Sequence, residues 1–280
     1  MKLNFIVLLF SILALPLFAM GGKIADVPLK PSAGLAIADG EFLQYTQTIH
    51  GEKNLDVYFV TRFLSNRTAV IYQQGIRNPL KEKLPENYTN YSSHYLVSLD
   101  RAALMESVGN YNTNRSTENE PSGWKGEFYW HYLYNPANGA IEFEQKNWDG
   151  NEIKTKTFRM KSKPNYPHWD SISGSLFAVR FLDFSKPGIM LFVVPQVLKE
   201  PLPVSFRLMG KEKITTKAGT FNTMKVGLIA ADPFLGQLMA PYAKDMLFWI
   251  EESDRRLIVK FQNPVSVMVL DTLSNVIRQQ

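Results

Sequence analysis

Cysteine is absent from all 280 residues, and that absence removes several protein classes at once. The chain can form no disulfide, can present no thiolate nucleophile or thiolate metal ligand, and cannot carry the lipid-modified N-terminal cysteine of a conventional bacterial lipoprotein. Histidine is nearly as sparse. His50, His94, His131 and His168 lie far apart, and none forms H-E-x-x-H or another metal-ligand spacing. Phosphate-cradling G-x-G-x-x-G and G-x-x-x-x-G-K patterns are missing. The SGSLF segment around Ser175 is not a G-x-S-x-G nucleophile elbow, because Phe177 stands where the second glycine belongs. Long apolar runs are missing after residue 19. The best later candidate, SLFAVRFLDFSKPGIMLFVV, carries Arg180, Asp183 and Lys186 and is split by Pro187 and Gly188.

What the chain does have begins at its N-terminus. In MKLNFIVLLFSILALPLFA, Lys2 precedes an unbroken apolar run that Pro16 interrupts just before the small residue Ala19. This is how an export signal reads, so residues 1–19 are expected to be a cleaved signal peptide, with the mature chain starting at Met20 or nearby. The run is short for a membrane span, which needs about 20 apolar residues; an uncleaved anchor is the alternative. The expected location is therefore the periplasm or another site outside the cytoplasm. The formal charge of +5 falls to +4 once Lys2 is removed. That dispersed excess suits an anionic envelope and lacks the clustered Lys and Arg of a nucleic-acid binder.

Residues 20–280 read as a single β-rich domain, since alternation with period two recurs from end to end. Leu43, Tyr45 and Ile49 share one parity, as do Val57, Phe59 and Phe63, with GEKN at Gly51–Asn54 as the turn between. Asn66-Arg67 turns the chain into TAVIYQQG. Residues 78–123 read as an insertion with one short helix, RAALMESV, capped by Asp100, and a polar loop from Asn110 to Gly123. EFYWHYLY, AIEFEQK and NEIKTKTFRM then form a meander, with NPANG as the first turn. A three-residue loop at Trp148, Asp149 and Gly150 would place Glu144 opposite Lys154 and Glu142 opposite Lys156. Further on, Lys217-Ala218-Gly219 is a tight connection, PFLGQLMAPYA a helical candidate, DMLFWIEESDRRLIVKF a hairpin with Leu257, Val259 and Phe261 inward, and VSVMVLDTL a last strand. The expected architecture is mainly β: a curved antiparallel sheet or open half-barrel of meandering hairpins with one or two short helices.

Candidate chemistry is thin. Glu142 and Glu144 resemble a glycosidase pair, but a charge ladder with Lys154 and Lys156 accounts for them. Glu251, Glu252 and Asp254 sit beside Arg255 and Arg256 at a turn. A metal site would need histidines from distant strands. No cofactor is implied. The most suggestive local feature is the aromatic strand, where Phe128, Trp130, Tyr132 and Tyr134 share one parity and Tyr129, His131 and Leu133 the other. One face must pack the core; the other can line a groove for an apolar or carbohydrate ligand. Phe128, Trp130, Tyr132 and Tyr134 are the candidate ligand-binding residues. A basic series, Lys154, Lys156, Arg159, Lys161 and Lys163, can meet anionic head groups or simply keep the face soluble.

Residues 168–271 carry three blocks, DSISGSLFAVRFLDFSKPG, GKEKITTKAGTFNTMKV and FWIEESDRRLIVKF, in which they resemble a bacterial exported family known as domain of unknown function 3108. The resemblance implies a strand-turn-strand at Glu212 to Val226 with Ala218, Gly219, Thr220 and Phe221 at its tip. It also implies a closing hairpin marked by Trp249, Asp254, Arg255 and Arg256, and an exported curved sheet similar to the Lol-type lipoprotein-carrier half-barrel. Gly219 suits a turn that needs positive φ, and Trp249 a core anchor. The motifs are structural and carry no catalytic role.

These observations lead to an expected exported, non-catalytic envelope protein whose curved aromatic sheet binds a lipid, an acyl chain, another amphiphile or an envelope protein. Membrane association would be peripheral at most, and nucleic acid is not an expected partner. The alternatives are an envelope hydrolase acting on glycan or lipid through a carboxylate pair, and a structural protein-interaction module.

Overall fold

Two meanders run in opposite directions from a shared seam. The computed structural model describes residues 26–32, 34–49, 52–77, 89–113, 126–149, 152–163, 165–170, 179–193, 200–231, 246–264 and 266–275. The first meander comprises β1 (Glu41–Ile49), β2 (Glu52–Ser65), β3 (Thr68–Arg77), β4 (Thr89–Ser98), β5 (Ala103–Thr113), β6 (Gly126–Asn135), β7 (Ala140–Asp149) and β8 (Glu152–Lys161). The second comprises β9 (His168–Asp170), β10 (Met190–Val193), β11 (Leu202–Thr216), β12 (Gly219–Ala230), β13 (Leu247–Glu251), β14 (Ile258–Gln262) and β15 (Ser266–Asn275). They join where β1 pairs β15, giving one 15-stranded sheet in the order β8-β7-β6-β5-β4-β3-β2-β1-β15-β14-β13-β12-β11-β10-β9. Every neighbouring pair is antiparallel except β9–β10. The fold is thus the expected open, curved, mostly antiparallel sheet. The expected signal segment 1–19 and the helical candidate PFLGQLMAPYA lie outside the described residues.

Local turn chemistry sets several hairpins as expected. Ser65 pairs Thr68 around Asn66-Arg67, Asn135 pairs Ala140 around residues 136–139, and Thr216 pairs Gly219 around Lys217-Ala218. Gly139 and Gly219 have φ of 71° and 137°, a region L side chains rarely adopt. The closing hairpin forms with Phe248 opposite Phe261, and Leu257, Val259 and Phe261 are buried.

Two expectations are corrected. RAALMESV is no helix: residues 99–102 are the β4–β5 turn, with Ala102 at φ 48°, and Ala103–Thr113 is strand β5. An eight-residue window fits both periods, and here pairing with β4 on one side and β6 on the other satisfies the backbone and overrides helix propensity. Residues 89–113 therefore continue the meander. The β7–β8 register also differs. Glu142 faces Arg159, Glu144 faces Thr157, and Lys156 and Lys154 face Gln145 and Asn147. Strand β7 runs on through Asp149, so Ile141 meets Met160 and Phe143 meets Phe158, their rings 6.2 Å apart. Aligning apolar partners on the face that is buried outweighs exposed ion pairs of about 0–1 kcal/mol.

Curvature comes from glycines and bulges. Gly75 lies opposite Tyr91 and Gly109 opposite Trp130, and in both pairs the aromatic ring occupies the space a Cβ would need. Register shifts at Gln44/Tyr45, Phe63/Ser65 and Leu96/Val97 add bends. The sheet curls so far that β9 tucks against the inner face rather than pairing with β8. Trp169 Nε1 donates to the Ala102 carbonyl at 2.8 Å, and the His168 ring lies 3.9 Å from that of Tyr134.

A helical turn at 179–181 fills the interior, with Trp169 stacked on Phe181. It is held by a buried bidentate pair: Arg180 Nη1 and Nη2 donate to the Glu41 carboxylate at 2.5 and 2.8 Å, with side chains 1 % and 3 % exposed. Arg180 Nε and Nη2 also donate to the Arg255 carbonyl. The β13–β14 loop answers, since Arg256 donates to the carbonyls of Arg180 and Leu182. Residues 27–32 run alongside, bonding to Phe181 and Ile189.

Glu41→Leu leaves the Arg180 charge buried without a counter-ion and is expected to cost about 3–5 kcal/mol in urea unfolding. The double variant Glu41→Leu/Arg180→Met is expected to recover at least half of that loss. A second prediction concerns pH. Burial pushes the His168 imidazole down from its ordinary 6.5 to about 4. Between those values the unfolded chain binds a proton that the folded one does not, so stability is complete above pH ~6.5 and falls as pH drops towards ~4, by at most about 3 kcal/mol. The urea midpoint followed from pH 7 to 4 should show this slope, and His168→Leu should flatten it.

Candidate functional site

Along β1–β6 one parity of side chains goes inward and the other outward, and the outward set is not simply polar. In register across the strands stand Phe42, Val60, Tyr72, His94, Val108 and His131. One step along, the row is Gln44, Tyr58, Gln74, Ser92, Asn110 and Tyr129. Apart from Gln44 and His131, the residues of these rows line, with Ile76, an open trough of about 770 Å³ on the outer face. Tyr72 is 51 % and Ile76 36 % exposed, whereas Phe42, Tyr58, Val60, Val108 and Tyr129 are half-buried. A contiguous apolar surface of this kind, with polar groups set among it, is where binding sites are found.

The trough has internal order. The Phe42 and Tyr58 rings lie 6.0 Å apart and the Tyr72 and His94 rings 6.4 Å apart. Ser92 Oγ donates to Asn110 Oδ1 at 2.6 Å. Its floor is stiffened from beneath, where Tyr95 Oη donates to Gln73 Oε1 and lies 2.5 Å from Ser93 Oγ, and Gln73 Nε2 donates to Tyr91 Oη. Charge stands at the rim on β5–β7: His131 Nε2 lies 2.9 Å from Glu106, and Lys146 bonds Glu144 at 2.9 Å and lies 5.6 Å from the Tyr129 ring centre. No Asp, Glu, Lys or Arg lines the trough itself.

The aromatic strand places its two parities on opposite sides. Trp130, Tyr132 and Tyr134 face inward at 1 %, 0 % and 5 % exposure, packed in the core. Phe128 shares their parity, opposite Asn147; its side chain lies outside the described set. Tyr129 on the other parity reaches the trough, and Leu133 is exposed further along. A ligand in the trough therefore meets Tyr129 and not Trp130, Tyr132 or Tyr134. Trp249 is buried as expected, but on the outer parity, with Lys225 and Lys260 Nζ 4.9 and 4.3 Å from its ring centre. Their aliphatic stems cover it.

The carboxylates that might form a catalytic pair are otherwise engaged. Glu142 bonds Arg159, Glu251 bonds Arg255, and Glu252 bonds Lys211. Among the described residues no group of three or more His, Asp or Glu can hold a metal ion. Among them, too, no helix is long and apolar enough to cross a membrane.

Comparison with known proteins gives little beyond architecture. No family model matches the chain, so the resemblance of residues 168–271 to domain of unknown function 3108 finds no support there. No curated protein matches it either. Among solved structures, the chain is similar to a β-barrel-like protein of domain of unknown function 1849 from Brucella abortus, at 7 % identity and TM-score 0.47, covering 90 % of this chain and 100 % of that one. A candidate lipoprotein from Parabacteroides distasonis matches at 12 % identity and TM-score 0.27, over 89 % of this chain and 100 % of the other. A candidate exported protein with a YmcC-like fold from Bacteroides fragilis matches at 11 % and 0.24, over 89 % and 99 %. At these scores the likenesses carry no functional argument.

The opposed faces predict opposed effects. Trp130→Ala is expected to cost about 3–5 kcal/mol in urea unfolding. Tyr72→Ala, at an exposed position, is expected to stay within about 1 kcal/mol of the parent chain.

Proposed function

We propose that this is an exported, non-catalytic binding protein of the bacterial envelope, and that its ligand is amphiphilic in the broad sense, a molecule with both apolar and polar faces, held in the outer trough of β1–β6. The observation that carries the reading is the trough: half-buried and exposed aromatic and aliphatic side chains in register over six strands, with amides and hydroxyls between them and no carboxylate to drive hydrolysis. Export is supported by the Lys2-led apolar segment ending at Ala19. The ligand-facing aromatics are then Phe42, Tyr58, Tyr72 and Tyr129, while Trp130, Tyr132 and Tyr134 act indirectly by packing the sheet beneath them.

Native mass spectrometry of the mature protein, purified from its own envelope without detergent exchange, tests this. A stoichiometric non-protein adduct is expected, and it should be lost from the Tyr58→Ala/Tyr72→Ala variant at an unchanged urea midpoint. A clean apo mass from the parent chain would overturn the reading in favour of a protein-interaction module.

A further inference from the structure

Resting on that reading of the trough, we infer that its occupant is a neutral glycan chain lying across the strands. Three features of the lining lead to this class. The first is charge: the trough walls hold no Asp, Glu, Lys or Arg, although such residues stand just outside it at Glu106, Glu144 and Lys146. A carboxylate, phosphate or ammonium group turned to that wall would give up water without gaining a counter-charge from it. A neutral one has no such penalty.

The second feature is the mixture of polar and aromatic groups. Tyr72 presents an exposed ring and Tyr58 and Tyr129 half-buried ones, while Gln74, Ser92 and Asn110 stand in register with Tyr58 and Tyr129. Asn110 accepts from Ser92 through its carbonyl oxygen, which leaves its amide hydrogens to donate. A pyranose ring has this same double character, with a C–H face that packs on an aromatic ring and equatorial hydroxyls that both donate and accept. An acyl chain would cover those amides and hydroxyls without replacing their bonds to water.

The third feature is shape. The trough is open along its length instead of enclosed, so it cannot shield a hydrocarbon chain from water on its outer side, whereas a glycan keeps its outward hydroxyls solvated. Its long direction runs across β1 to β6, five strand spacings of about 4.8 Å each, or about 24 Å. That is room for several sugar rings in line. The curl of the sheet and the rigid Gln73–Tyr95–Ser93 network beneath fix the aromatic positions before any ligand arrives, which lowers the ordering cost of binding.

The test uses the mature chain on a microarray of neutral and uronate-containing linear oligosaccharides, followed by calorimetry with the neutral members that bind. A parallel titration uses cis-parinaric acid as an acyl probe. Binding confined to neutral oligosaccharides is expected, with affinity reduced at least ten-fold by Tyr72→Ala and by Asn110→Ala and largely kept by Tyr72→Phe, all at unchanged urea midpoints. Preference for the uronate-containing members overturns the inference. If parinaric acid binds in a Tyr72-dependent way and no oligosaccharide does, the glycan inference falls and the amphiphile reading stands. If neither probe binds, both fall, and co-purification of an envelope protein would then point to a protein partner.

Discussion

Among the described residues fifteen strands form one layer with no second sheet to cover it, and this sheet buries its inner face against its own far end. That burial explains why the aromatic side chains sit where they do. Trp130, Tyr132, Tyr95 and Trp169 supply the volume that fills the curl, and Gly75 and Gly109 supply the hollows into which facing rings settle. The helical turn at 179–181 is buried in the same interior. A guanidinium in that position would be intolerable alone, and Glu41, at the first residue of β1, makes it tolerable with two parallel hydrogen bonds. The pair thus connects the interior filler to the seam strand, and the Arg255 and Arg256 contacts connect both to the β13–β14 hairpin.

Among the described residues the inner-face side chains are packed in the core, and the outer face, the rim and the edges are what the sheet presents outward. Strand β8, at one edge, is guarded by Lys154, Lys156, Arg159 and Lys161, which discourage edge-to-edge pairing. Over β1–β6 the outer face departs from the usual alternation of apolar inside and polar outside. Outward apolar residues of this density are the observation on which the proposed binding face rests.

Much of the fold was legible because turn chemistry is local. Asn66-Arg67, NPANG and Lys217-Ala218-Gly219 each announce a connection within a few residues, and the parity of the adjoining strands follows. Where the reading failed, the deciding information was distant. RAALMESV is too short for its period to be decided without its neighbours. The β7–β8 register was read from Glu and Lys positions, whereas the burial of Ile141 and Phe143 against Met160 and Phe158 decides it. The site follows the same rule. That Phe128, Trp130, Tyr132 and Tyr134 share a face is visible in the sequence, but which face is buried depends on a curl that only the whole sheet possesses. A signal was nevertheless present: Phe42, Tyr58, Val60, Tyr72 and Ile76 all occupy the parity opposite their strand's core residues, and a strand that is apolar on both sides is a sign of a second contact surface.

The seam between β1 and β15 has a consequence for how the molecule is made. Thr46 Oγ1 donates to Asp271 across 225 positions of sequence, and Lys217 reaches the same carboxylate from the β11–β12 turn. For a chain that emerges N-terminus first, β1 can pair β2 at once, yet its other edge stays bare until β15 appears. The centre of the finished sheet is therefore the last part to be completed, and the two meanders can form separately before they meet. A chain cut short at its C-terminus would be left with an open middle instead of a frayed end, exposing the edge of β1 to any neighbouring strand. Pairing β1 with β15 makes the presence of both meanders a condition of a covered seam.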